Sequence, residues 1–155
     1  MNWDAIGAIG EIIGALAVVA SLIYLSIQIR NQNKESKVAS VHEINEAYRA
    51  ITAEMMKPEI AAVWAKAQNG FGNLDETEKL QVISFALVCF RFFEEAYYQF
   101  KANRLDDHIW EGMSAQITLL MGSESFVEIW SMRKHMFSPD FRNIVDALET
   151  SEYEI

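Results

Sequence analysis

The chain holds a single cysteine, Cys89, which excludes an internal disulfide and any cysteine-based zinc site. Bases are scarce. Thirteen lysines and arginines face 22 aspartates and glutamates, giving a formal charge of −9 over 155 residues. A general nucleic-acid binder needs clustered cations for phosphate, so that class is excluded. Only two prolines and seven glycines punctuate a sequence that is 51% hydrophobic, which excludes disorder. Alternation of apolar and polar residues is missing over any stretch of four or more, and β-branched clusters sit inside helical stripes, so no strand is predicted. Internal repeats, low-complexity linkers, a phosphate-binding GxxxxGK loop and a GxSxG nucleophile elbow are all lacking. Gly70-x-Gly72 begins like a dinucleotide fingerprint, but Asp75 occupies the third glycine position and no strand precedes it. The remaining class is an all-α chain with one unusually apolar part.

That part is the N-terminus. Ala5 to Ile29 carries one charge, Glu11, in 25 residues. As a helix the stretch would be roughly 37 Å long, enough to cross a hydrocarbon layer of about 30 Å with some tilt. Trp3 stands at one end and Tyr24 near the other, where amphipathic rings favour the lipid–water boundary. Arg30, Lys34 and Lys37 follow the run and no base precedes it. The positive-inside rule then predicts an N-terminus outside and a C-terminal side in the cytoplasm. A cleaved signal peptide fits poorly: the first residues are acidic, Glu11 interrupts the apolar region, and no small-residue cleavage site follows. The competing reading is the buried core helix of a soluble protein. The expected organisation is a transmembrane anchor over 1–30, a cytosolic helical bundle over 31–150 and an acidic tail over 151–155.

Gly7, Gly10, Gly14, Ala17 and Ser21 recur at spacings of three and four, so small residues line one stripe of this helix, with Gly10-x-x-x-Gly14 inside it. Close backbone approach is what drives helix association in lipid, so the stripe predicts self-association. Glu11 lies roughly 9 Å inside the apolar span. It either faces a bundle interior, as a carboxylate near an oligomer axis would, or marks the outer boundary and leaves Ile12 to Ile27 as the span.

Beyond the anchor, no glycine or proline occurs between Ala15 and Lys57, so the helix can continue. Val41, Ile44, Tyr48, Ile51 and Met55 form an apolar stripe for another helix to cover. Pro58 opens a second helix, Glu59 to Gln68, and Asn69 to Asn73 is a turn. Asp75 with Glu78 is a capping-box start for the longest helix after the anchor, running to about Asn103. Apolar on nearly every side from Leu80 to Phe90, it is expected at the centre of the bundle. A fourth helix runs from Asp106 or Asp107 to Gly122. Ser123 is expected to cap a fifth, to about Met136, and Ser138-Pro139 to open a sixth, to about Leu148. The tail from Asp146 is expected to fray.

Polar sets of catalytic spacing are few. His42/Glu46 and His108/Glu111 read as surface pairs, because the Glu-x-x-His motif of a di-metal bundle is missing. Cys89 lies among Leu87, Val88 and Phe90 and reads as an inert core thiol. Arg91, Glu94 and Glu95 sit on a helix too apolar to solvate all three, and predict an internal salt bridge that fixes the bundle register. The alternative is a polar pocket beside Tyr97 and Tyr98. No cofactor or metal is expected.

The segment WDAIGAIGEIIGALAVVASLIYLSIQIR, Trp3 to Arg30, resembles that of uncharacterised small bacterial membrane proteins in which one membrane helix precedes a cytosolic helical domain. The Phe/Trp-rich later helices and the Ser138-Pro139-Asp140-Phe141-Arg142 segment are similar too. The resemblance implies a bacterial inner-membrane location and transfers no catalytic residue. Three functions stay open: a non-enzymatic, self-associating membrane scaffold or sensor whose bundle binds a cytosolic protein partner; a homo-oligomeric pore lined by Glu11, Ser21 and Gln28; and a membrane-tethered helical enzyme that binds a ligand or metal.

Overall fold

The stretch without glycine or proline does form an unbroken helix. In a computed structural model, which describes residues 3–148, α1 spans Trp3–Met55. It is followed by α2 (Pro58–Ala67), a 3₁₀ turn (Phe71–Asn73), α3 (Glu76–Lys101), α4 (Asp107–Leu120), α5 (Glu124–Arg133), a second 3₁₀ turn (Lys134–Met136) and α6 (Pro139–Asp146). The chain is all-α, with no strand among the described residues. It divides into two units, Met1–Ala39 and Ser40–Ile155.

The second unit is built around α3, which packs on α2, α4 and α5. Its start is the expected capping box: the Asp75 carboxylate accepts from the Glu78 N–H at 2.8 Å, and the Glu78 carboxylate accepts from the Asp75 N–H at 3.0 Å. Lys66 reaches the same Glu78 from α2, and this bond, followed by the Asp75 backbone bond, holds the Glu78 carboxyl below its ordinary range. The helix stops where Asn103 turns left-handed (φ 57°), the conformation that asparagine tolerates after a helix end. Along α3, Val82, Ala86, Cys89, Phe90, Phe93 and Ala96 are buried.

Phe90 is the hub. Its ring lies 5.3 Å from Phe126 and 4.9 Å from Trp130, both on α5, and 5.9 Å from Phe137. Trp130 and Phe137 in turn meet Phe141 of α6. The last part of α1 joins this core through Ile44, which is buried, and through Ser40, whose hydroxyl meets the Gln99 side chain at 3.3 Å. Tyr48 lies only partly covered, its ring 6.2 Å from Phe92.

Two expected caps are absent. Ser123 occupies the position before α5, but its hydroxyl is buried and caps nothing. A junction between helices lies here: the Glu124 N–H donates to the Gln68 carbonyl at 3.3 Å, and the Ser125 hydroxyl donates to the Ala67 carbonyl. The open end of α2 thus satisfies the open end of α5. Gly70, the buried turn residue beside this junction, has φ 82°, a backbone conformation that calls for glycine. Ser138 likewise makes no side-chain cap for α6.

The expectation of fraying from Asp146 onward also fails for Asp146 itself. The Trp130 indole N–H donates to Asp146 Oδ1 at 2.7 Å, and Lys134 donates to Oδ2 at 2.9 Å. The remainder of the expected tail, including 151–155, lies outside the described residues. The indole bond, then the lysine, holds the Asp146 carboxyl below its ordinary range. A depressed carboxyl contributes stability that is complete above its unfolded pKa and is lost as pH falls through the folded one. Asp146→Asn is therefore expected to be less stable than the wild type between pH 6 and 8, where the contribution is complete, and to lose less stability below about pH 4, so that the two converge in acid. An unchanged acid limb in a melting series from pH 2 to 8 would refute this role.

Candidate functional site

Three surfaces need an account: the first part of α1, a polar groove on α3, and an apolar groove lined by α1, α2 and α3.

In the first unit, every large apolar side chain from Trp3 to Ile29 is exposed, including Ile13, Leu16, Val19, Leu22 and Leu25, and none of the apolar window is buried. Within this unit nothing covers them. Two polar side chains in the run are satisfied on the helix itself. The Ser21 hydroxyl donates to the Ala17 carbonyl at 2.8 Å, and the Gln28 amide donates to the Tyr24 hydroxyl at 2.8 Å. Both are four-residue bonds along the helix, so each group has one of its hydrogen bonds made without water. The predicted stripe of Gly7, Gly10, Gly14, Ala17 and Ser21 lies on this exposed helix, and a Cβ added at any of the three glycines meets nothing within 4 Å. Glu11, also exposed, stands four residues from Gly7 and three from Gly14, on the flank of that stripe.

On α3, the predicted cluster resolves into one pair and two bystanders. Arg91 bridges to Glu94, which retains 14% side-chain exposure against 57% for Arg91. Glu94 also accepts from the Ser138 N–H at 2.7 Å, while Arg91 donates to the Met136 carbonyl at 3.3 Å and lies 4.6 Å over the Phe137 ring. The pair thus fastens the segment before α6 onto α3. Glu95 is exposed and Tyr98 is 75% exposed; both line a groove of about 640 Å³ together with Arg91, Glu94, Lys101 and Asp140. Lys101 pairs with Asp140 across it. The sequence places Arg91 and Glu94 three residues apart on one helix face. It could not place Met136 and Ser138, over forty residues later, against them.

The apolar groove is the surface sequence reasoning missed. It has a volume of about 590 Å³ and is walled by Ile51 and Met55 of α1, Val63 and Trp64 of α2, and Phe85 and Val88 of α3. Leu80, 65% exposed, stands at its edge. The available signal was the Leu80–Phe90 run, apolar on more sides than its neighbours can cover. Its one ionisable wall residue is Glu54, which Lys57 binds through both carboxylate oxygens at 2.8 and 2.7 Å.

Elsewhere, burial pushes the Cys89 thiol up to about 12, so it is neutral at physiological pH. His42 and Glu46 form an exposed pair at 3.6 Å. Among the described residues, no group of three or more His, Cys, Asp or Glu side chains could hold a metal ion. Comparison with known proteins returns no match: no family model, curated protein or solved structure is significantly similar to this chain.

Proposed function

We propose that this is a single-pass membrane protein of the bacterial inner membrane, with its N-terminus outside. It self-associates through Gly7, Gly10, Gly14, Ala17 and Ser21, and presents a cytosolic helical bundle as a non-enzymatic scaffold or sensor for a protein partner. The observation that carries the reading is the apolar run of α1, exposed on all sides, with the polar atoms of Ser21 and Gln28 bonded along their own helix. Exposed apolar patches on soluble monomers rarely exceed a few hundred Å², and a helix apolar all round needs lipid or other helices around it. The resemblance of Trp3 to Arg30 to small bacterial membrane proteins agrees with this, as do the bases that follow the run.

Self-association has a clean test. A Cβ added at Gly10 or Gly14 meets nothing within 4 Å in its own chain, so a loss of association on substitution points to a packed partner helix. Gly10→Ile and Gly14→Ile are expected to shift the oligomer toward monomer in detergent, by light scattering or analytical ultracentrifugation, with membrane insertion retained. An unchanged mass for both variants would remove the stripe from the interface. N-terminal sequencing of membrane-extracted protein that begins after Ser21 would replace the anchor by a cleaved signal.

A further inference from the structure

The apolar groove has the size and lining of a small-molecule site rather than of an ordinary surface hollow. Ligand pockets are typically about 300–1,000 Å³, mostly apolar, with a few polar groups that fix orientation. Here about 590 Å³ lies in an open groove between aliphatic and aromatic walls, and Gln81, Ser84 and Glu54 are the polar side chains. We propose that the groove binds a small amphipathic cation: an apolar or aromatic body between α1, α2 and α3, and a cationic head at Glu54.

Charge decides the head. Glu54 is the groove's one ionisable side chain, so the wall itself offers a negative partner and no positive one. Residues 1–39 hold three acids (Asp4, Glu11, Glu35) and three bases (Arg30, Lys34, Lys37), so the entire net charge of −9 lies on residues 40–155. A cation approaching this unit is attracted by that field, and an anion is repelled. Trp64 and Phe85, with ring centroids 5.6 Å apart, supply the aromatic wall against which the apolar body packs. Lys57 is a competitor and not an obstacle. Its pair with Glu54 is solvent-exposed on both sides (49% and 60%), and exposed pairs of this kind contribute little, so a ligand cation can replace it.

The test uses the full chain in nanodiscs of zwitterionic lipid, titrated calorimetrically with three water-soluble molecules of one shape. These are phenylpropyl-trimethylammonium, phenylpropanol and phenylpropanesulfonate, each also titrated into empty nanodiscs. The cation is expected to bind tightest and the sulfonate weakest. Glu54→Gln should weaken the cation by about threefold or more and leave the alcohol unchanged, while Lys57→Gln should strengthen the cation. Both positions are exposed, so the fold tolerates them. Ser84→Phe, from an exposed wall position, should abolish binding of all three by filling the groove. Equal affinity across the series, preference for the sulfonate, no binding of the cation, or a signal that survives Ser84→Phe would each overturn the proposal.

Discussion

Phe90→Ala is expected to unfold much of the bundle near physiological temperature. Phe90 is fully buried and its ring touches those of Phe126, Trp130 and Phe137. Truncating such a phenylalanine removes its transfer free energy and leaves a cavity that rigid rings fill poorly, for a loss of about 3–5 kcal/mol. Against a total stability of about 5–15 kcal/mol for a domain, that is a large fraction. Thermal melting followed by circular dichroism should show a drop of about 10 °C or more, with Tyr98→Ala, on the solvent side of the same helix, close to wild type. A loss under about 1 kcal/mol would mean that the aromatic cluster is not the core of the bundle.

Val18→Arg combined with Leu22→Arg is the second large effect, and it acts on location while leaving the bundle folded. An arginine at the centre of a membrane helix costs about 2.5–3.5 kcal/mol on insertion scales, and two on neighbouring turns leave no apolar window long enough to span. The variant is expected in the carbonate-soluble fraction, whereas the wild type stays in the pellet. Because Val18 and Leu22 are exposed and touch no core residue, the bundle's helicity should be unchanged. A doubly substituted protein that still resists carbonate would end the anchor reading of α1.

How much of this was legible depended on how local the cause was. The capping box at Asp75 and Glu78, the proline at the first position of α2 and α6, and the unbroken α1 are set by residues within a turn of each other, and all are where the pattern put them. Ser123 and Ser138 stand before their helices without capping them, and the N–H groups at these two helix starts reach distant partners instead. Gln68 takes that of Glu124, and Glu94 takes that of Ser138. The fifth helix was expected to run to Met136 but breaks into a 3₁₀ turn at Lys134, where Lys134 binds Asp146 and Phe137 turns into the aromatic cluster. At the candidate sites the same division holds. The small stripe and the Arg91–Glu94 pair are single-helix patterns and could be read, whereas the apolar groove is assembled from three helices and could not.

The burial of Cys89 has a practical consequence. With its thiol held protonated inside the core, the folded chain carries no sulfhydryl that a maleimide would find. Single cysteines can therefore be introduced along α1, one by one, into an otherwise unaltered protein. Their pattern of labelling from either side of a sealed membrane would give sidedness and depth directly, with Cys89 silent for as long as the bundle stays folded.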